Sequence, residues 1–243
     1  VQLMAVEFDD VTNNYVTCGA AASLDDIFAS GGSAVGWFYV DDYAQYHGLF
    51  GKNNTTPNNG WEAFTNQTSG TITFTQRKAT VDGGWDTTSA LGSGAWKHVA
   101  IVYDASNDAN DPTIYVNGVS QSLTEIAAPS GAIDSDGPDP LVFAAIRTNA
   151  FSLDGKAEDV RMYKRLLSQE EVSLLAAGYR GPLGNEQGWW SGDNFRGITH
   201  PDGTTLTAAT NYLRDESGNG NTGDPIGGVI ARASDAPRMG MTF

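Results

Sequence analysis

The sequence predicts an all-β protein: an antiparallel β-sandwich of the jelly-roll type, with one short helix and a C-terminal tail that supplies a strand. Three observations predict it. Apolar residues recur mainly with a period of two, as in half-buried strands, and rarely with the 3.6-residue period of helices. The runs are short, roughly ten residues apart, and separated by turn residues. Glycine is abundant, 29 of 243 residues, which suits many turns and few long helices.

Each element has its own local signal. Trp37-Phe38-Tyr39-Val40 is a bulky run ending in Asp41-Asp42, a buried strand leading into a loop. Ile72, Phe74 and Gln76 alternate with Thr71, Thr73 and Thr75, a half-buried strand. From Trp96 to Tyr103 both faces carry apolar side chains, which predicts a central strand of a covered sheet. Thr113 to Val116 meets Asn117-Gly118 and then Val119. Asn-Gly between such runs is a hairpin signal, because both turn residues need φ > 0. Leu141 to Ile146 and Val160 to Tyr163 read as further strands.

The helix follows. Ser168 caps it, Glu171 three residues on completes a capping box, and Val172, Leu175 and Ala176 form its apolar stripe. Gly178 ends it in a left-handed conformation. After Gly181-Pro182 the texture changes to Gly, Asn, Asp and Thr, with one aromatic pair, Trp189-Trp190. Residues 1–182 therefore read as the sandwich. Residues 183–243 hold too little core to fold alone and read as a tail that packs on the sandwich or on a neighbouring chain.

Charge narrows the function classes. The chain has 14 basic and 29 acidic residues, a net charge of −15. That balance argues against nucleic acid, whose phosphates need cations, and against an anionic membrane surface. No apolar run is long enough to insert as a membrane-spanning helix. The single cysteine, Cys18, excludes an internal disulfide or a cysteine zinc site and reads as a buried structural thiol.

Four segments resemble the concanavalin A-like, laminin-G-like jelly rolls. WKHVAIVYD (Trp96–Asp104) is similar to that family's W-H-H-V-A-x-x-Y-D strand, and IYVNG (Ile114–Gly118) to its L-Y-V-D-G hairpin. LDGKAEDVRMYKRLLSQEEV (Leu153–Val172) is similar to its closing segment, and AVEFDDVTNNYVTCG (Ala5–Gly19) to its opening one. The resemblance covers about residues 5–178 and implies the jelly-roll fold. The tail departs from the family order. RDESGNGNTGD (Arg214–Asp224) and GWWSGDN (Gly188–Asn194) resemble segments that normally stand before the opening strand. The tail thus looks like the family's first strand moved to the end. It would close its own sheet, complete that of another copy, or open a truncated second module.

The laminarinase-type enzymes of the superfamily carry E-x-D-x-x-E on one strand face, and no such triplet occurs here. Glu158 and Asp159 are adjacent, which predicts opposite faces of a strand. Of His47, His98 and His200, none accompanies a G-x-S-x-G elbow, and His98 reads as a core residue. Gly218 to Gly223 spells G-x-G-x-x-G but opens no helix, so it reads as a Gly/Asn turn. Calcium is the one candidate cofactor, as the family resemblance implies. Acidic loops at Asp9, Asp10 and Asn13, at Asp104 to Asp111 and at Asp134 to Asp139 could supply oxygens. Asp10, Asp154 and Asp159 are preferred as ligands because they fall in the family-like segments. For a glycan, which needs an aromatic face and amide hydrogen bonds, the candidates are Tyr43, Tyr46, His47, Asn53, Asn54, Asn58 and Trp61. The competing reading puts Tyr46 and Trp61 in the core and the asparagines in a solvated turn.

The expectation is a non-catalytic structural or adhesion protein. The first reading places it on a virus or phage particle as a capsid decoration or fibre module, meeting other copies or virion proteins through the Trp189-Trp190 region. The alternative is a carbohydrate-binding module of a secreted bacterial protein. Both imply a virion-surface or extracellular location, with polysaccharide as a candidate partner.

Overall fold

Strands form wherever the period-two pattern can bury one face, and the computed structural model describes residues 4–9, 13–55, 58–147, 150–193, 205 and 212–239. In chain order the first strands are β1 (Met4–Phe8), β2 (Tyr15–Thr17), β3 (Gly32–Val40), β4 (His47–Thr55), β5 (Asn58–Thr65) and β6 (Thr71–Gln76). Then come β7 (Gly83–Ala90), β8 (Trp96–Tyr103), β9 (Thr113–Val116), β10 (Val119–Ser120), β11 (Leu123–Ala127) and β12 (Val142–Phe143). The last are β13 (Gly155–Tyr163), helix α1 (Gln169–Ala176), β14 (Glu186–Trp190), β15 (Asp224–Ile226) and β16 (Ile230–Ala233).

These strands make two antiparallel sheets. The first runs β10-β9-β8-β3-β13-β1-β16, with β14 also on β13; the second runs β11-β7-β6-β5-β4-β12-β2-β15. Their inner faces enclose one core. Phe28 is its hub, edge-on to Trp61 at 4.9 Å and to Phe74 at 5.3 Å. Trp85, Tyr103, Phe38, Phe50 and Trp190 fill the space around it. A second cluster (Val35, Ala100, Tyr163, Val172, Leu175) lies on the outer face of the first sheet under α1. That explains why β8 is apolar on both sides. Burial pushes the Cys18 thiol pKa up, as suits an inert core thiol.

The helix has the expected capping box: the Glu171 N–H donates to Ser168 Oγ, and Ser168 N–H to the Glu171 carboxylate. Gly178 follows at φ +91°. The Asn117-Gly118 turn has both residues at positive φ, 51° and 78°. One expected strand is cut short. Only Val142–Phe143 of the 141–146 run is a strand, because Ala144 turns to φ +60° and leaves the ladder.

The tail packs on the chain's own body. Beside β13, β1 pairs with one half (Val6↔Ala157) and β14 with the other (Val160↔Trp190). The two lie end to end along the same edge, and the Met4 N–H donates to Asp193 Oδ1 at 2.7 Å. β16 extends this sheet on β1, and β15 extends the other on β2. The Asn/Gly turn is organised by buried Asp215, whose carboxylate accepts from the backbone N–H of Trp189, Ser217 and Asn221 and from Ser217 Oγ. Trp189 and Trp190, expected at a contact with other copies, are 7% and 1% exposed and sit inside this chain. A buried ring offers no face to a partner.

Candidate functional site

The outer face of the second sheet carries the aromatic cluster that a ligand can reach. Alternation along β5 sends Trp61 and Ala63 inward and Glu62 and Phe64 outward. Tyr46, just before β4, packs edge-on against Phe64 at 5.8 Å. Phe151 stacks on Tyr46 with ring centroids 4.9 Å apart and planes 22° from parallel. Phe151 is 38% exposed, and its backbone sits at φ +54°. That left-handed conformation costs a non-glycine residue roughly 1–2 kcal/mol, and such strain concentrates at functional sites. The surroundings hold it there: Gly48 N–H donates to the Phe151 carbonyl at 2.6 Å. Beside the two rings opens a cleft of about 230 Å³, lined by Asn13, Gln45, Tyr46, Gln67, Phe151 and Ser152. Its polar side-chain groups are uncharged: three amides and two hydroxyls.

Further along the same face lies a charge cluster. The Glu62 carboxylate takes Arg77 on one oxygen (2.8 Å) and Arg147 on the other (2.9 Å), and Asn53 Nδ2 donates to it at 2.6 Å.

The structure divides the glycan candidates. Tyr46 is in the cleft. His47 is buried beneath it: Asp154 N–H donates to its Nδ1 at 3.2 Å, and the Ser152 carbonyl lies equally close. Tyr43 is half-buried beside Gly70, with its phenol pKa pushed up to about 12 by burial. Asn53, Asn54 and Asn58 lie at the far end of the β4–β5 hairpin, roughly seven residues or about 23 Å from Tyr46. There they bond to Glu62, Asp139 and Asp82. Trp61 is corrected to a core residue: it is 1% exposed, edge-on to Phe28, with no face left for a sugar. Phe151, Gln45, Gln67 and Ser152 escaped the sequence reading. The available signal was a lone aromatic in a polar loop.

The structure places two of the three calcium candidates. Asp10 and His200 lie outside the described residues. Asp154 is partly exposed at the start of β13. Asp159 is 3% exposed and taken: Arg161 donates to both its oxygens at 3.0 Å, and Trp189 Nε1 to one at 2.7 Å. A carboxylate so held does not fit a metal. Among the described residues no group of three or more His, Cys, Asp or Glu is placed to hold one.

Asp159 also corrects the expected orientation of its neighbour. A bulge at φ +52° turns it to the same face as Glu158, and Arg180 reaches both, at 3.3 and 3.7 Å. Arg238 and Ser234 of the tail also bond Glu158, which is 2% exposed, and burial raises its pKa. His98 lies close to this cluster, opposite Trp37, and burial lowers its pKa to about 3, so it is neutral at pH 7.

No curated protein sequence matches the chain. The fold is similar to that of a carbohydrate-binding candidate from Bacteroides ovatus (TM-score 0.65, 16% identity), which covers 98% of this chain. The chain spans 62% of that protein's length. It is similar over 98% of both chains to a heptameric SAP-like pentraxin from Limulus polyphemus (TM-score 0.55, 13% identity). Over 65% of its length, and 39% of the other's, it is similar to the botulinum neurotoxin serotype G binding domain (TM-score 0.50, 16% identity). A family model of the concanavalin A-like lectin/glucanases superfamily matches residues 10–173. The chain belongs to that superfamily, in its laminin-G-like branch.

Proposed function

We propose that this protein is a non-catalytic carbohydrate-binding module that works outside the cell and grips a neutral glycan on the outer face of its second sheet. The Tyr46–Phe151 ledge carries the reading: an exposed, strained aromatic stacked on a second one beside a cleft of uncharged amides. Sugar rings present an apolar face that packs on such rings and hydroxyls that bond to amides. The carbohydrate-binding description of the Bacteroides ovatus protein, which shares the fold, supports it. The non-catalytic part is supported by Glu158 and Asp159, both engaged by arginines and covered. We also read the described part of the tail as belonging to this one module, from the pairing of β14, β15 and β16 with its strands. Nothing in the similarities above points to a particle surface.

The test is an array of neutral and acidic polysaccharides probed with the wild type and Phe151→Ala. Binding to neutral glycans that Phe151→Ala weakens by roughly 30-fold is expected. A blank array, or binding indifferent to Phe151, counts against the site. Release of reducing ends from a bound polysaccharide counts against the non-catalytic reading.

A further inference from the structure

At the other end of the β4–β5 hairpin, Lys52 faces inward from β4, in register with core Trp61, and its side chain is fully buried. A buried ammonium is tolerated only when it is paired and its N–H groups are satisfied. Four oxygens surround it. Nζ donates to the carbonyls of Asp136 at 2.6 Å and Asp139 at 2.7 Å. Asp25 Oδ1 lies at 3.0 Å and Asp136 Oδ1 at 3.1 Å. The 134–139 loop is wrapped around this point. Asp26 N–H donates to Asp136 Oδ1, and Asp136 N–H back to Asp26 Oδ1. Asn59 fixes Asp139 and the Ser135 carbonyl, and Gly60 N–H donates to the Asp134 carbonyl at 3.0 Å. Gly60 is at φ +76°, and a Cβ there would collide with the Lys52 carbonyl oxygen.

Backbone carbonyls and carboxylates converging on one positive centre is how loops hold hard cations such as calcium. Here the positive centre is part of the chain. We propose that the Lys52 ammonium is the built-in cation of the 134–139 loop, filling the place a free metal ion would take, so that the loop keeps its shape without one. Two carboxylates against one ammonium leave the cage net negative. Removing the side chain would therefore open a site that a divalent cation can enter, with waters completing its shell.

The test is thermal unfolding of the wild type and Lys52→Ala in chelator, in millimolar calcium, and in sodium chloride of equal ionic strength. In chelator the Lys52→Ala midpoint should fall by about 10 °C, as expected for breaking a buried pair in a chain of this size. Calcium, but not sodium, should restore at least half of the loss in a saturable way. Lys52→Met, whose thioether fills the cage, should show the loss without the recovery. No calcium recovery of Lys52→Ala overturns the proposal. So does a wild-type midpoint that drops in chelator by an amount Asp136→Asn abolishes, because that places a free ion in the loop. If Lys52→Ala does not fold, Asp25→Asn decides: it should lower the midpoint by a few degrees equally with and without calcium. An unchanged midpoint refutes the cage.

Discussion

Phe151 tests the site and the strain argument together, through the pair Phe151→Ala and Phe151→Gly. Both remove the ring that stacks on Tyr46 at 4.9 Å. Loss of a central aromatic anchor typically weakens binding by about 2 kcal/mol, roughly 30-fold in Kd. The two variants differ only in backbone freedom. Alanine keeps the cost of φ +54°, about 1–2 kcal/mol, whereas glycine removes it. Glycine also loses about 0.5–1 kcal/mol of chain entropy on folding. The net preference for glycine is about 0.5–1 kcal/mol, or about 2 °C in a chain of this size. The assay is glycan titration by calorimetry with thermal unfolding of the same samples. Both variants should lose binding alike, and the glycine variant should melt above the alanine variant. An alanine variant as stable as the glycine one refutes the strain. Wild-type affinity in either refutes the site.

Other outcomes follow from buried groups. Burial, opposed by Lys52 and by the hydrogen bond from the Asp26 N–H, raises Asp136 from 3.8 to about 6. Because the folded value is the higher, the folded chain holds the extra proton between these limits. Its contribution is complete below pH 3.8 and is lost as pH rises through about 6. Stability should therefore rise by about 1 kcal/mol between pH 7 and pH 5, and Asp136→Asn should flatten that rise in a pH series of unfolding midpoints. Trp61→Ala should cost roughly 3–5 kcal/mol of stability yet leave glycan affinity intact well below its midpoint. Affinity lost in the folded variant would restore Trp61 to the site. Asp215→Ala strands three backbone donors and should cost about 3 kcal/mol, with faster proteolysis between residues 181 and 221. An unchanged cleavage pattern would mean that the Asp215 hub does not fasten the tail.

The sequence by itself determined what is encoded within a few residues. The Ser168/Glu171 box fixes the start of α1, Asn117-Gly118 fixes a hairpin, and the apolar pattern of β8 marks a strand covered on both sides. The laminin-G-like segments gave the superfamily because each motif is local. Where neighbours along the chain mislead, tertiary structure decided. The glycan candidates form one continuous stretch of sequence, but an extended hairpin carries Tyr46 and Asn53 to opposite ends. Phe151 joined Tyr46 from 105 residues away because the chain passes back over the start of β4. One bulge turned Asp159 beside Glu158, and alternation sent Trp61 inward. Lys52 met its oxygens only when loops more than 80 residues apart in sequence closed over it. Period and capping are short-range properties that survive in a linear text. Which side chains share a cleft depends on sheet register and loop closure, and those are settled by burial of the whole core.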